Sequence, residues 1–186
     1  MPLRVSFELG DGDLQHFEQI AQQTQAIART TSPDAIIATA REVLQKGSQS
    51  QLADFVKDRY ARLRSMIDMA CDADWALSAD DRQRVINALA CFSSPSSAQT
   101  DTLLDHAIMI ELVGRDLHHD IDAYREFCTY RETYKPRRKR NIQPDDRERA
   151  LAEKREHLQK RMHERRKRDL DKSDSAVRKL FSLFGL

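Results

Sequence analysis

The densest group of chemically capable side chains lies between positions 105 and 125. Glu111 sits in the apolar run Ala107–Val113, where burial would raise a carboxyl pKa and make a general acid or base. Spacing favours a plainer role. Glu111, Arg115, His118, Asp122 and Arg125 follow steps of four, three, four and three, so they share one polar helix face, with Arg115 as the natural ion-pair partner of Glu111. His118 and Asp122, one turn apart, are the residues a metal would use, with Asp105, His106 or His119 adding a ligand from a neighbouring turn. Paired E-x-x-H repeats, which mark di-iron bundles, do not occur. Gly10-Asp11-Gly12 stands alone, with no G-x-x-x-x-G-K-[ST] loop and no G-x-S-x-G elbow. The expectation is a non-enzymatic protein, with no catalytic residue and no cofactor assigned.

Charge offers a second kind of chemistry. The net charge is +1. Residues 1–134 sum to −8 and residues 135–172 to +8. Two clusters, Arg137, Arg138, Lys139, Arg140 and Arg165, Arg166, Lys167, Arg168, could neutralise phosphates by counterion release. They lack interleaved aromatics for stacking on bases, and eight acids between 135 and 172 would repel a polyanion. A basic segment beside an acidic body can equally reach an acidic partner or fold back on that body. At the end of the chain, Val177, Leu180, Phe181 and Phe184 fall on one side of a short helix beside Arg178 and Lys179. That pattern suits docking on the body, a partner groove or an anionic membrane interface.

The elements that position these groups read as helices. Of 186 residues, 40% are hydrophobic and 33% charged, with 5 Gly and 5 Pro, too few for a turn-rich sandwich or barrel. Asp13 is a plausible cap for a helix to Arg29, with Leu14, Phe17, Ile20, Ala21 and Ile27 inward. Ser32-Pro33 opens the next helix, and Gly47 ends it. A helix over 50–71 carries Leu52, Phe55, Val56, Tyr60, Leu63, Ile67 and Ala70 on one stripe. Lys57, Arg59, Arg62 and Arg64 occupy its other face. Ser78 with Asp81 signals the start of another helix, backed by Val85, Ile86, Leu89 and Phe92. A single long helix is expected over 101–131, the central core element around which the others wrap.

After the linker Lys135–Arg140, Pro144 opens a last long helix to Lys172. Its Leu151, Leu158, Met162 and Leu170 do not sustain coiled-coil heptads, whereas Arg149/Glu153, Glu156/Lys160, Glu164/Arg168 and Arg165/Asp169 can support a solvated helix. The expected division is a helical body over 1–134 and a basic extension over 135–186. Cys71, Cys91 and Cys128 are odd in number and widely spaced, and are expected as reduced core thiols. With no apolar run of spanning length and no secretory leader pattern at Met1–Asp13, the expected location is the cytosol.

Asp74-Trp75-Ala76-Leu77, the helix Ser78–Phe92, Ser93-Ser94-Pro95 and the run Leu104–Val113 together resemble the YkvA-like family of small bacterial proteins. Arg115-Asp116-Leu117 and Tyr124–Cys128 look like its continuation, and the resemblance covers roughly 13–131. It implies a helical body and brings no assigned biochemical activity. The chain departs from the family in the loop before the apolar helix, of the type L-I-P-D-x-I-P-x-L-G-x-L-D-D. Here 96–106 is shortened, lacks both prolines and the glycine, and ends Asp105-His106. An activity carried by that loop would be lost or altered in this chain.

The expectation is therefore an all-α protein: a compact bundle of about five helices, a long charged helix and a short amphipathic terminal helix. Its expected role is that of an interaction or adaptor protein using the C-terminal extension on a protein partner. The alternative is salt-sensitive binding of nucleic acid or an anionic membrane surface.

Overall fold

The computed structural model describes residues 23–48, 54–93, 103–134 and 145–172. The expected start of the first helix, residues 94–102, the cluster Arg137–Arg140 and the apolar terminal segment with Val177, Leu180, Phe181 and Phe184 lie outside the described residues. The fold is all-α. After a helical stretch at 23–30 come α1 (Pro33–Ser48), α2 (Asp54–Cys71), α3 (Ala79–Ala90) with a 3-10 turn at Cys91–Ser93, α4 (Leu103–Asp116), α5 (His118–Thr133) and α6 (Asp145–Lys172).

Local chemistry explains the boundaries. The Ser32 hydroxyl accepts the Ala35 N–H at 3.3 Å, and Pro33 occupies the first helical position of α1. The Ser78 hydroxyl accepts the Asp81 N–H at 3.1 Å and donates to the Asp81 carboxylate at 2.7 Å, so one residue both starts α3 and orients an acid. Gly47 does not terminate α1, which runs on to Ser48. Its role is close approach: a Cβ there would fall 2.0 Å from the buried Tyr60 ring.

Two further expectations are corrected. The long helix expected over 101–131 breaks at Leu117 into α4 and α5. Nδ1 of His118 hydrogen-bonds the Arg115 carbonyl at 2.6 Å, and a side chain competing for a carbonyl of the ladder is a recognised cause of a break. The element packed against the most neighbours is α2, which meets α1, α3, α4 and α5. It can do so because Val56, Tyr60, Leu63, Met66, Ile67, Met69 and Ala70 bury a stripe wider than one seam, whereas Met109 and Leu112 of α4 remain half-exposed.

Trp75 anchors the far side of this core. Its ring is fully buried, with centroids 5.2 Å from Phe127 and 5.8 Å from Tyr124. The turn that carries it is tied by Asp72, which accepts N–H groups from Asp74 and Trp75, the Tyr124 hydroxyl at 3.0 Å and the Arg131 guanidinium at 2.9 Å. Of the cysteines, Cys91 is buried and its thiol is pushed up to about 12 by burial, while Cys128 is half-buried. Cys71 departs from the core expectation: α2 ends there, leaving it exposed beside an open cleft of about 590 Å³.

Candidate interaction site

The basic helix folds back on the acidic body. One face of α6 lies along α5 and the Trp75 turn, burying Leu158 and Met162 to 0% and 1% exposure in the common core. They stand one turn apart, so one stripe of α6 is apolar where it meets the body. Around that short stripe, attachment is polar. Gln159 donates to the Trp75 carbonyl at 2.8 Å, and Arg155 to the Asp74 carbonyl at 3.1 Å. Lys154 and Arg161 grip the two oxygens of Glu126, holding its carboxyl below the usual range through hydrogen bonds from both cations. Lys154 also lies 5.5 Å over the Tyr130 ring.

The most enclosed contact joins four helices. Arg166 donates to Asp81 at 2.8 Å and to Asp120 at 3.3 Å, and Arg84 reaches Asp116 at 2.7 Å and Asp120 at 3.4 Å. Nε2 of His163 lies 2.9 Å from Asp81. Asp120 is fully buried. Desolvation pushes its carboxyl up to about 6, against the pull of Arg84 and with the repulsion of Asp81 and Asp116 adding to the rise. Three carboxylates thus share two guanidiniums, and one of those two is supplied by α6.

Arg166 therefore already faces protein carboxylates within the predicted cluster Arg165–Arg168, whereas Arg165, Lys167 and Arg168 lie exposed. Glu111 is ion-paired, with Arg59 at 3.1 Å and Arg62 at 2.9 Å; the expected partner Arg115 is exposed. The cross-helix pairing arises because α4 packs on α2, a neighbour that helix-face spacing cannot reveal.

Of the candidate metal residues, His106 is buried against the Phe92 ring, and Asp122 is exposed. The side chain of Asp105 lies outside the described residues. His118 and His119 converge instead with Asp169 of α6, their ligand atoms all within 4.8 Å of one another. Sequence reasoning missed Asp169, Asp81 and Asp120. Each acts across 36 to 85 positions of chain, and the only available signal was opposite charge on the two halves.

No protein-family model, curated protein or solved structure matches the chain.

Proposed function

We propose that this chain is a non-enzymatic helical interaction protein whose basic C-terminal helix exchanges between its own acidic body and an acidic surface on a protein partner. The supporting observation is the attachment of α6. Lys154, Arg161, His163 and Arg166 pair with Glu126, Asp81 and Asp120 around only two fully buried apolar side chains. Carboxylates on another protein can replace such pairs, whereas a wide apolar seam would bind α6 permanently. The half-exposed Lys154 and Arg161 pairs are open to competition, while the Asp81–Asp120 contacts fix the register. No helix among the described residues is long and apolar enough to cross a membrane. The YkvA-like resemblance of the body on which α6 rests belongs to the same proposal.

A second reading keeps Arg165, Lys167 and Arg168, exposed on α6, as contacts for nucleic acid or an anionic membrane surface. Glu126→Lys separates the two. It sets a cation against Lys154 and Arg161 and weakens the docking of α6 without touching the core. Immobilised Glu126→Lys protein should retain a discrete protein from lysate, released by salt, more strongly than the wild type does. Nucleic acid or lipid that elutes with salt would favour the second reading, and identical captures would contradict release of α6 as the active step.

A further inference from the structure

Where the first residues of α5 meet the last turn of α6, two imidazoles and a carboxylate point at one another, and none of them belongs to the ion pairs that hold Arg166. Nε2 of His119 lies 2.7 Å from Oδ2 of Asp169, and Nε2 of His118 lies 3.7 Å from the same oxygen. The two ring centroids are 3.7 Å apart, with the planes tilted by 41°. The orientation of His118 is set from outside the cluster. Its Nδ1 is 2.6 Å from the Arg115 carbonyl, and a carbonyl can only accept, so that nitrogen carries a hydrogen and Nε2 is the ring atom turned to Asp169, with a lone pair to give whenever the ring is neutral. A lone pair and a carboxylate oxygen so placed can be bridged by a cation.

His119 offers the same end of its ring. Its Nδ1 is buried without a hydrogen-bond partner among the described residues, which leaves Nε2 as the ligating atom. Such a donor set, two neutral imidazole nitrogens and one carboxylate oxygen, suits a borderline transition ion better than calcium or magnesium, which prefer oxygen. Bonds of about 2 Å at tetrahedral angles put zinc ligand atoms roughly 3.3 Å apart. The two distances to Asp169 bracket that spacing, and all three ligand atoms lie within 4.8 Å of one another. Hydrogen bonding of a ligand histidine's other nitrogen to a backbone carbonyl is the usual way such a ligand is oriented, and His118 has it.

We infer that His118, His119 and Asp169 form a zinc-class divalent metal site that clamps the start of α5 to the end of α6. The fourth position is open to solvent, because His118 and Asp169 are 47% and 56% exposed. When Nε2 of His119 ligates zinc the hydrogen of the neutral ring sits on Nδ1, and one hydrogen bond to Asp169 is replaced by three ligand bonds. Sequence spacing suggested His118 with Asp122, but the carboxylate comes from the other helix.

The test uses the full chain, stripped with chelator and titrated with Zn²⁺ by calorimetry, with Co²⁺ as a spectroscopic probe of coordination. The expected result is one ion per chain and the visible absorption of four-coordinate cobalt. Asp169→Asn changes an exposed side chain and should leave the circular dichroism spectrum intact, and it and His118→Ala should each weaken Zn²⁺ binding by more than about tenfold. His157→Ala, exposed on α6, should bind as the wild type does. The assignment is overturned by a wild type that takes up no stoichiometric Zn²⁺, by His118→Ala and Asp169→Asn proteins that bind normally, or by an equal loss in His157→Ala.

Discussion

Replacing both Leu158 and Met162 with alanine removes the whole of the fully buried apolar contact that α6 makes. Each side chain is enclosed at 1% exposure or less, so each truncation costs about 2–5 kcal/mol if the helix stays in place. The combined cost cannot grow without limit. Once it exceeds the docking free energy, α6 detaches and the loss levels off at that value. Detachment has a local reporter, because Trp75 is the only tryptophan in the chain and its carbonyl is held by Gln159 of α6. The double variant should show a red-shifted Trp75 emission and stronger quenching by acrylamide, with most of the far-ultraviolet helical signal retained. Urea unfolding followed by both probes should separate into two transitions, where the wild type shows one. Emission that stays at the wild-type wavelength, together with a stability loss below about 1 kcal/mol, would refute the reasoning that these two residues pin α6 to the body.

Other outcomes follow from single contacts. Gly47→Ala gains about 1 kcal/mol of helix propensity but drives a methyl into the buried Tyr60 ring, an overpacking cost of about 1–3 kcal/mol, so chemical denaturation should show net destabilisation. Ser78→Ala removes the α3 cap and should cost about 1 kcal/mol by the same measurement. Acid should act in two windows of opposite sign. Asp120 binds its proton more tightly folded, at about 6, than unfolded, near 3.8, so its contribution to stability grows as pH falls from about 7 to 4. Glu126 has a lowered pKa, so its contribution is full above the ordinary 4.5 and is lost on further acidification through the lowered value. Asp120→Asn and Glu126→Gln should each flatten one limb of the pH–stability curve, and a curve unchanged by both would contradict the assignment.

The all-α class was legible because apolar spacing, the Ser32 and Ser78 caps and the scarcity of glycine agree with one another. Val85, Ile86 and Leu89 lie in the core as their periodicity demands. What was not legible was every feature that depends on which helices touch. Leu158 and Met162 read as too sparse for a seam, yet two buried side chains suffice when polar groups flank them. Glu111 could be assigned to an ion-paired face but not to Arg59 and Arg62, since spacing along one helix carries no information about its neighbour. The break at Leu117 was invisible for a related reason: it rests on the rotamer of His118, not on a proline or glycine at the site.

The claim that α6 is a docked but releasable helix is tested most directly by hydrogen exchange across Asp145–Lys172 in the full chain at low and high salt. The account predicts strong protection around Leu158 and Met162 at low salt, and faster exchange through the Lys154–Arg161 segment as salt screens the half-exposed Glu126 pairs. Free-helix exchange rates at low salt, or protection that salt leaves unchanged, would contradict it.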